Sequence, residues 1–128
     1  MATKFRALEG AVPYVLHMEA GADVFGELKK FFVEGNWTEV VVMGCAGSLD
    51  KAVVCYPKDA QLPPVIERIE MEGVFEICTL TGNVICHEGS PRVHLHGSFA
   101  ERGIKVYGGA IQDGSRIFKS ADFFLLAR

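Results

Sequence analysis

His94 and His96 stand two residues apart in the run Pro91-Arg92-Val93-His94-Leu95-His96-Gly97-Ser98-Phe99. In an extended chain, successive side chains point to opposite faces, so the two imidazoles share one face and Val93 and Leu95 the other. Neutral imidazole nitrogens are ligands for zinc, and two on one sheet face are half of a metal site. The same pair could instead form a polar patch at a subunit contact.

Few other residues suggest chemistry. Cys86, His87 and Glu88 lie in sequence just before the histidine strand and could add a ligand. A neighbouring subunit could do the same, with His17 as a conceivable donor. A metal with an open position could activate water, and Glu76 and Glu88 are the carboxylates nearest in sequence to serve as its base. The plain structural reading of Glu76 is a buried carboxylate paired inside the sheet or across an assembly. No nucleophile elbow and no phosphate-cradling glycine loop is present. Gly108-Gly109 reads as a close-packing or bulge feature. The four cysteines, Cys45, Cys55, Cys78 and Cys86, form no Cys-x-x-Cys pair and read as buried reduced thiols.

The elements that must carry these residues follow from periodicity. The 128 residues suit a single domain, 1–128. With 49% hydrophobic and 23% charged residues, the composition is that of a globular chain, not a disordered one. The net charge of −3, with no cluster of Lys and Arg, argues against a dedicated nucleic-acid binder. No apolar run reaches the roughly 20 residues of a membrane span. The first residues lack the apolar core of a signal peptide, and the expectation is a cytoplasmic protein.

Residues 11–19 read as a strand. Asp23 is a plausible N-cap for an amphipathic helix built on Val24, Leu28, Phe31 and Phe32 and stopped at Gly35. The remainder reads as strands over 38–45, 51–56, 65–72, 75–85, 92–100, 104–111 and 117–126. The expected fold is α+β, a mainly antiparallel sheet of about seven strands with one principal amphipathic helix. One helix covers only part of such a sheet. Either the sheet curls into a barrel, or its bare area and the apolar residues Phe118 and Phe123 to Leu126 are covered by other subunits.

Several stretches resemble the PPC (plants and prokaryotes conserved) domain. Gly73-Val74-Phe75-Glu76-Ile77-Cys78-Thr79-Leu80-Thr81-Gly82-Asn83 is similar to its Gly-Arg-Phe-Glu-Ile-Leu and Ser-Leu-Ser-Gly segment, and Val93 to His96 to its His-x-His strand. Val106-Tyr107-Gly108-Gly109-Ala110 looks like its Gly-Gly-His strand, and Gly114 to Asp122 like its last strand. The resemblance covers nearly the whole chain. It implies the PPC α+β fold and a homotrimer. It also implies a non-enzymatic, DNA-associated regulatory or partner-binding role, with protein partners reached through Gly73–Asn83. The alternative is a metal- or small-molecule-binding protein, a weak hydrolase at most, centred on His94 and His96 with zinc as the metal.

This chain departs from the pattern where it matters. It has no Arg-Gly-Arg-Pro core of an AT-hook, so direct minor-groove binding through arginine has no visible support. Val74 replaces an Arg and Cys78 a Leu. Ala110 stands where the family has its third His. With Glu101-Arg102-Gly103 as the hairpin loop, Ala100 would pair with Ile104, placing His94 opposite Ala110 and His96 opposite Gly108. A His at position 110 would then complete a three-imidazole shell, which this chain lacks.

Overall fold

A computed structural model describes residues 2–128. The elements are β1 (Val12–Glu19), α1 (Val24–Glu34), β2 (Glu39–Pro57), β3 (Ile66–His87), β4 (Ser90–Glu101), β5 (Lys105–Ile111) and β6 (Arg116–Ala127). The strands form one antiparallel sheet in the order β1-β6-β2-β3-β4-β5. No helix among the described residues is long and apolar enough to cross a membrane.

Six strands replace the seven or so expected, because two pairs of segments merge. The residues after Cys45 carry turn-like composition, yet β2 runs straight through them, absorbing them as irregularities at Val42/Gly44, Gly47/Leu49 and Leu49/Lys51. Bulges bend and twist a strand without ending it. Gly73 likewise lies inside β3. The long, bent β2 lets the sheet curl until β5 meets it, with Val54 paired to Ile111 and Cys55 to Ala110. Gly109 permits that seam, since a Cβ there would come within 3.1 Å of the Cys55 carbonyl. The curling expected as one alternative therefore occurs, and Gly108-Gly109 acts in packing.

The inner face of the curl and α1 enclose the core. Val24, Leu28 and Phe32 of the helix pack with Val40, Val42, Leu95, Phe123 and Leu125. Phe75, Phe99 and Tyr107 fill the curled end, with the Phe75 and Phe99 rings 5.5 Å apart, edge to face. Asp23 caps the helix, accepting from Gly26 N at 2.7 Å, and also accepts from Gly114 N at 3.2 Å, which ties the helix start to the β5–β6 turn. Gly35 ends the helix for a reason the sequence hides. Its φ is −81°, and the left-handed residue is Asn36 at 52°. Gly35 is needed because the Trp37 indole lies where a Cβ would stand.

The C-terminal apolar residues divide by alternation. Phe123 and Leu125 are buried, Phe124 and Phe118 exposed, and Leu126 half-buried. The last residue is stitched to β2, since Arg128 N donates to Glu39 O at 3.0 Å and Thr38 N to Arg128 O at 2.7 Å.

Candidate functional site

The hairpin that carries the histidines differs from the sequence expectation. Ala100 pairs with Val106 and Glu101 with Lys105, so the loop is Arg102-Gly103-Ile104. Arg102 and Gly103 take left-handed φ values of 55° and 68°, and Ile104, apolar but 81% exposed, belongs to the turn. His96 therefore faces Ala110, and Gly108 faces Ser98; His94 lies past the end of β5, level with Gln112. The register moves by two residues, so every side chain keeps its face. Position 110 remains the neighbour of the pair, beside His96 in place of His94.

On β3, Asn83 pairs with His94 and Thr81 with His96. Gly82 between them lies so close to β4 that a Cβ would strike the His94 carbonyl. Behind the strand, Leu95 is buried in the core. Both imidazoles are exposed, with Nε2 atoms 3.1 Å apart and ring planes at 79°. Two nitrogens bound to one tetrahedral zinc at its usual bond lengths lie roughly 3.3 Å apart, so the pair has the bite of a bidentate ligand. Without a metal, one ring donates its N–H to the other.

The described residues add no further ligand to the pair. Among the described residues, no three His, Cys, Asp or Glu side chains come together as a metal group. Cys86, His87 and Glu88 lie at the far end of β3, where His87 pairs with Ser90, and supply no substitute ligand. Cys55, next to Ala110 across the seam, is half-buried, with its sulfur accepting from Gln112 Nε2 at 3.0 Å.

Two further expectations are corrected. Glu76 is exposed opposite Ala100 and is not buried inside the sheet, because β3 turns its side chain outward there while Phe75 points in. The buried carboxylate is Glu39, which accepts from Arg6 Nη1 at 2.9 Å and from Arg128 Nε at 3.0 Å. The cysteines are not uniformly buried. Cys78 and Cys86 are exposed, while Cys45 and Cys55 are half-buried. Burial, aided by the charge of Asp122, pushes the Cys45 thiol up to about 12 and leaves it unreactive at neutral pH.

A second imidazole site lies on β1. His17 and Asp122 are direct strand partners, with Nδ1 and Oδ1 2.7 Å apart. Residues 105 positions apart in sequence gave no signal of this pairing, although alternation does place His17 on the face of Val15. That face is continuous with the histidine strand. A single row of paired residues, Pro13, Leu126, Val41, Asn83 and His94, crosses the sheet from β1 to β4. Beside it Val15, Met43 and Phe124, each 44% or more exposed, line an apolar concavity of about 280 Å³.

The model of the Plants and Prokaryotes Conserved domain matches residues 6–127. The chain belongs to the PPC family. Among solved structures, a PPC protein of Pyrococcus horikoshii is 22% identical with a TM-score of 0.80, covering 95% of this chain and 84% of its own. A metal-containing protein from Archaeoglobus fulgidus is 24% identical with a TM-score of 0.83, covering 98% and 86%. A protein from Ralstonia eutropha, named only as a candidate DNA-binding protein, is 15% identical with a TM-score of 0.78, covering 90% and 77%. These likenesses establish the PPC fold, mostly antiparallel sheet with one helix. No curated protein sequence matches the chain.

Proposed function

We propose that this PPC protein is a non-enzymatic module that assembles as a homotrimer and acts as a regulatory, partner-binding unit, DNA-associated through other proteins. The observation that carries the reading is the uncovered sheet face. Val15, Met43 and Phe124 are exposed side by side on it, and contiguous apolar surface of this kind marks an interaction site. Partner contacts fall to the β3 segment Gly73–Asn83, where Val74, Glu76, Cys78, Thr79 and Thr81 are all exposed.

Association with DNA through other proteins fits the charge. Four of the six arginines, Arg6, Arg68, Arg116 and Arg128, are engaged by carboxylates of the chain itself, and the net charge is −3. A phosphate backbone needs cations free to meet it. Light scattering at micromolar concentration tests the assembly, and a stable monomer would overturn it. A salt-dependent mobility shift with the purified protein alone would overturn the indirect route to DNA.

The second reading is a metal- or small-molecule-binding protein, at most a weak hydrolase. The 3.1 Å approach of the His94 and His96 Nε2 atoms supports it. Zinc is the metal that suits two imidazoles of this bite. Elemental analysis of protein made without a histidine tag tests it, before and after exposure to zinc, and no metal in either sample would sink it.

A further inference from the structure

We propose that His17, oriented by Asp122, is a nucleophilic imidazole that accepts small acyl groups at Nε2 from uncharged donors. The site lies within one chain and is independent of His94 and His96.

The first support is the fixed geometry of the dyad. His17 on β1 and Asp122 on β6 are direct strand partners, with Nδ1 and Oδ1 2.7 Å apart. The next pair, Met18 and Ala121, is buried, so the backbone beside both dyad residues is anchored in the core. On β2 the residue facing Asp122 is Ala46, which brings no polar side chain to compete for the carboxylate.

The second support is the tautomer. An ionised carboxylate only accepts, so Asp122 keeps the ring proton on Nδ1 and leaves the Nε2 lone pair without a partner among the described residues. That nitrogen is a nucleophile, and the carboxylate stabilises the positive charge that the ring gains as it attacks.

The third support is the contrast with the other histidines. His94 and His96 direct their Nε2 atoms at each other. His87 is as open as His17, with side chains 50% and 55% exposed, yet Glu88 beside it stays 3.8 Å from the ring. Exposure does not separate the two rings; the hydrogen-bonded carboxylate does.

His17 opens on a concavity of about 340 Å³ lined also by Glu19, Ala20, Ala22 and Glu27, which leaves room for a small acyl group. The two glutamates repel an anionic donor and leave an uncharged one unaffected. In the step, the Nε2 lone pair attacks the donor's carbonyl carbon. The bond from that carbon to the leaving group breaks, and the leaving group departs with the electron pair. The Nδ1 proton passes to water or to the departing group, giving a neutral acyl-imidazole. Water later releases the acid and restores the ring.

The test treats the full chain with diethyl pyrocarbonate, an uncharged acyl donor, at about pH 8, where imidazoles are ordinarily neutral. Peptide mass spectrometry gives the rate at each histidine. His17 should react about tenfold faster than His87, and Asp122→Asn should remove that lead, since a hydrogen bond to a charged group contributes a factor of roughly ten or more. Asp122→Glu should restore part of it. Replacing Glu19 and Glu27 by Gln should leave the His17 rate within about twofold, because the reagent carries no charge for them to act on. Circular dichroism checks that each variant is folded, and the comparison of His17 with His87 in the unchanged protein needs no variant. Equal rates at those two histidines, or a lead that survives Asp122→Asn, overturn the inference. A lead lost with the two glutamates instead would overturn the role of Asp122. Acetyl phosphate, an anionic acyl donor, should give His17 no such lead, and an equal lead would overturn the assignment to uncharged donors.

Discussion

Gly82 on β3 lies directly beneath the main-chain carbonyl of His94 on β4, so closely that any Cβ at position 82 would overlap that oxygen. The approach sets the spacing of the two strands where the imidazoles stand, and it brings Leu95, on the opposite face, fully into the core.

Gly82→Ala must therefore push β4 away. Overfilling a packed contact costs about 1–3 kcal/mol. A urea midpoint lowered by that cost divided by the slope, with the slope itself unchanged, is the expected result. An unchanged midpoint would mean that the strands have room to give. His96→Gln, at an exposed position in the same strand, should leave the unfolding free energy within about 0.5 kcal/mol.

Glu39 makes stability depend on acid. The Arg6 hydrogen bond holds its carboxyl below the ordinary value of 4.5; burial works against this, and the Arg128 hydrogen bond adds to the lowering. A carboxyl lowered by folding stabilises fully above its unfolded value, and that contribution is lost as pH falls through the folded value. Melting temperature should thus fall steeply below about pH 4.5. Glu39→Gln should lose about 1–3 kcal/mol at pH 7 and show a shallower acid limb. Identical acid limbs in the two proteins would refute the clamp.

Trp37, the single tryptophan, reports on the end of the helix. Its ring packs on Phe31 and Tyr14, with centroids 6.2 and 5.6 Å away, and its indole covers Gly35. Gly35→Ala should displace the indole, shift the emission to longer wavelength and cost about 1–3 kcal/mol. A helix gains from alanine in place of glycine when only conformational freedom matters. A stabilised variant with unchanged emission would refute the steric account.

The contact proposed at the apolar concavity predicts which mutations would abolish a trimer. Val15→Glu or Phe124→Glu would bury an unpaired carboxylate in the contact, a cost of several kcal/mol per site. Light scattering should then give the mass of one chain while circular dichroism stays unchanged, because both side chains are partly in water in the single subunit. A variant that remains a trimer would move the interface elsewhere.

Local patterns were legible where one residue type has one consequence. Asp23 caps the helix, and alternation separates His94 and His96 from Val93 and Leu95. Family motifs carried the topology. The hairpin register failed because Ile104 is apolar yet lies in a turn whose left-handed Arg102 and Gly103 consume it. The continuity of β2 was not legible because its bulges use the same small residues as true turns. Glu39 and the His17–Asp122 dyad escaped notice because their partners lie 33, 89 and 105 positions away in the chain. Only the fold brings such residues together, and no periodic signal precedes it.

The edge of the sheet has its own consequence. β1 is the terminal strand and carries Pro13, which has no N–H to offer an incoming strand. The opposite end of the sheet is partly spent on the β5–β2 seam. Main-chain pairing with further copies, the open-ended route by which sheets grow into fibrils, is therefore blunted at both ends. The side chains on the sheet face, and not its edges, are then the surface this fold leaves open for contact.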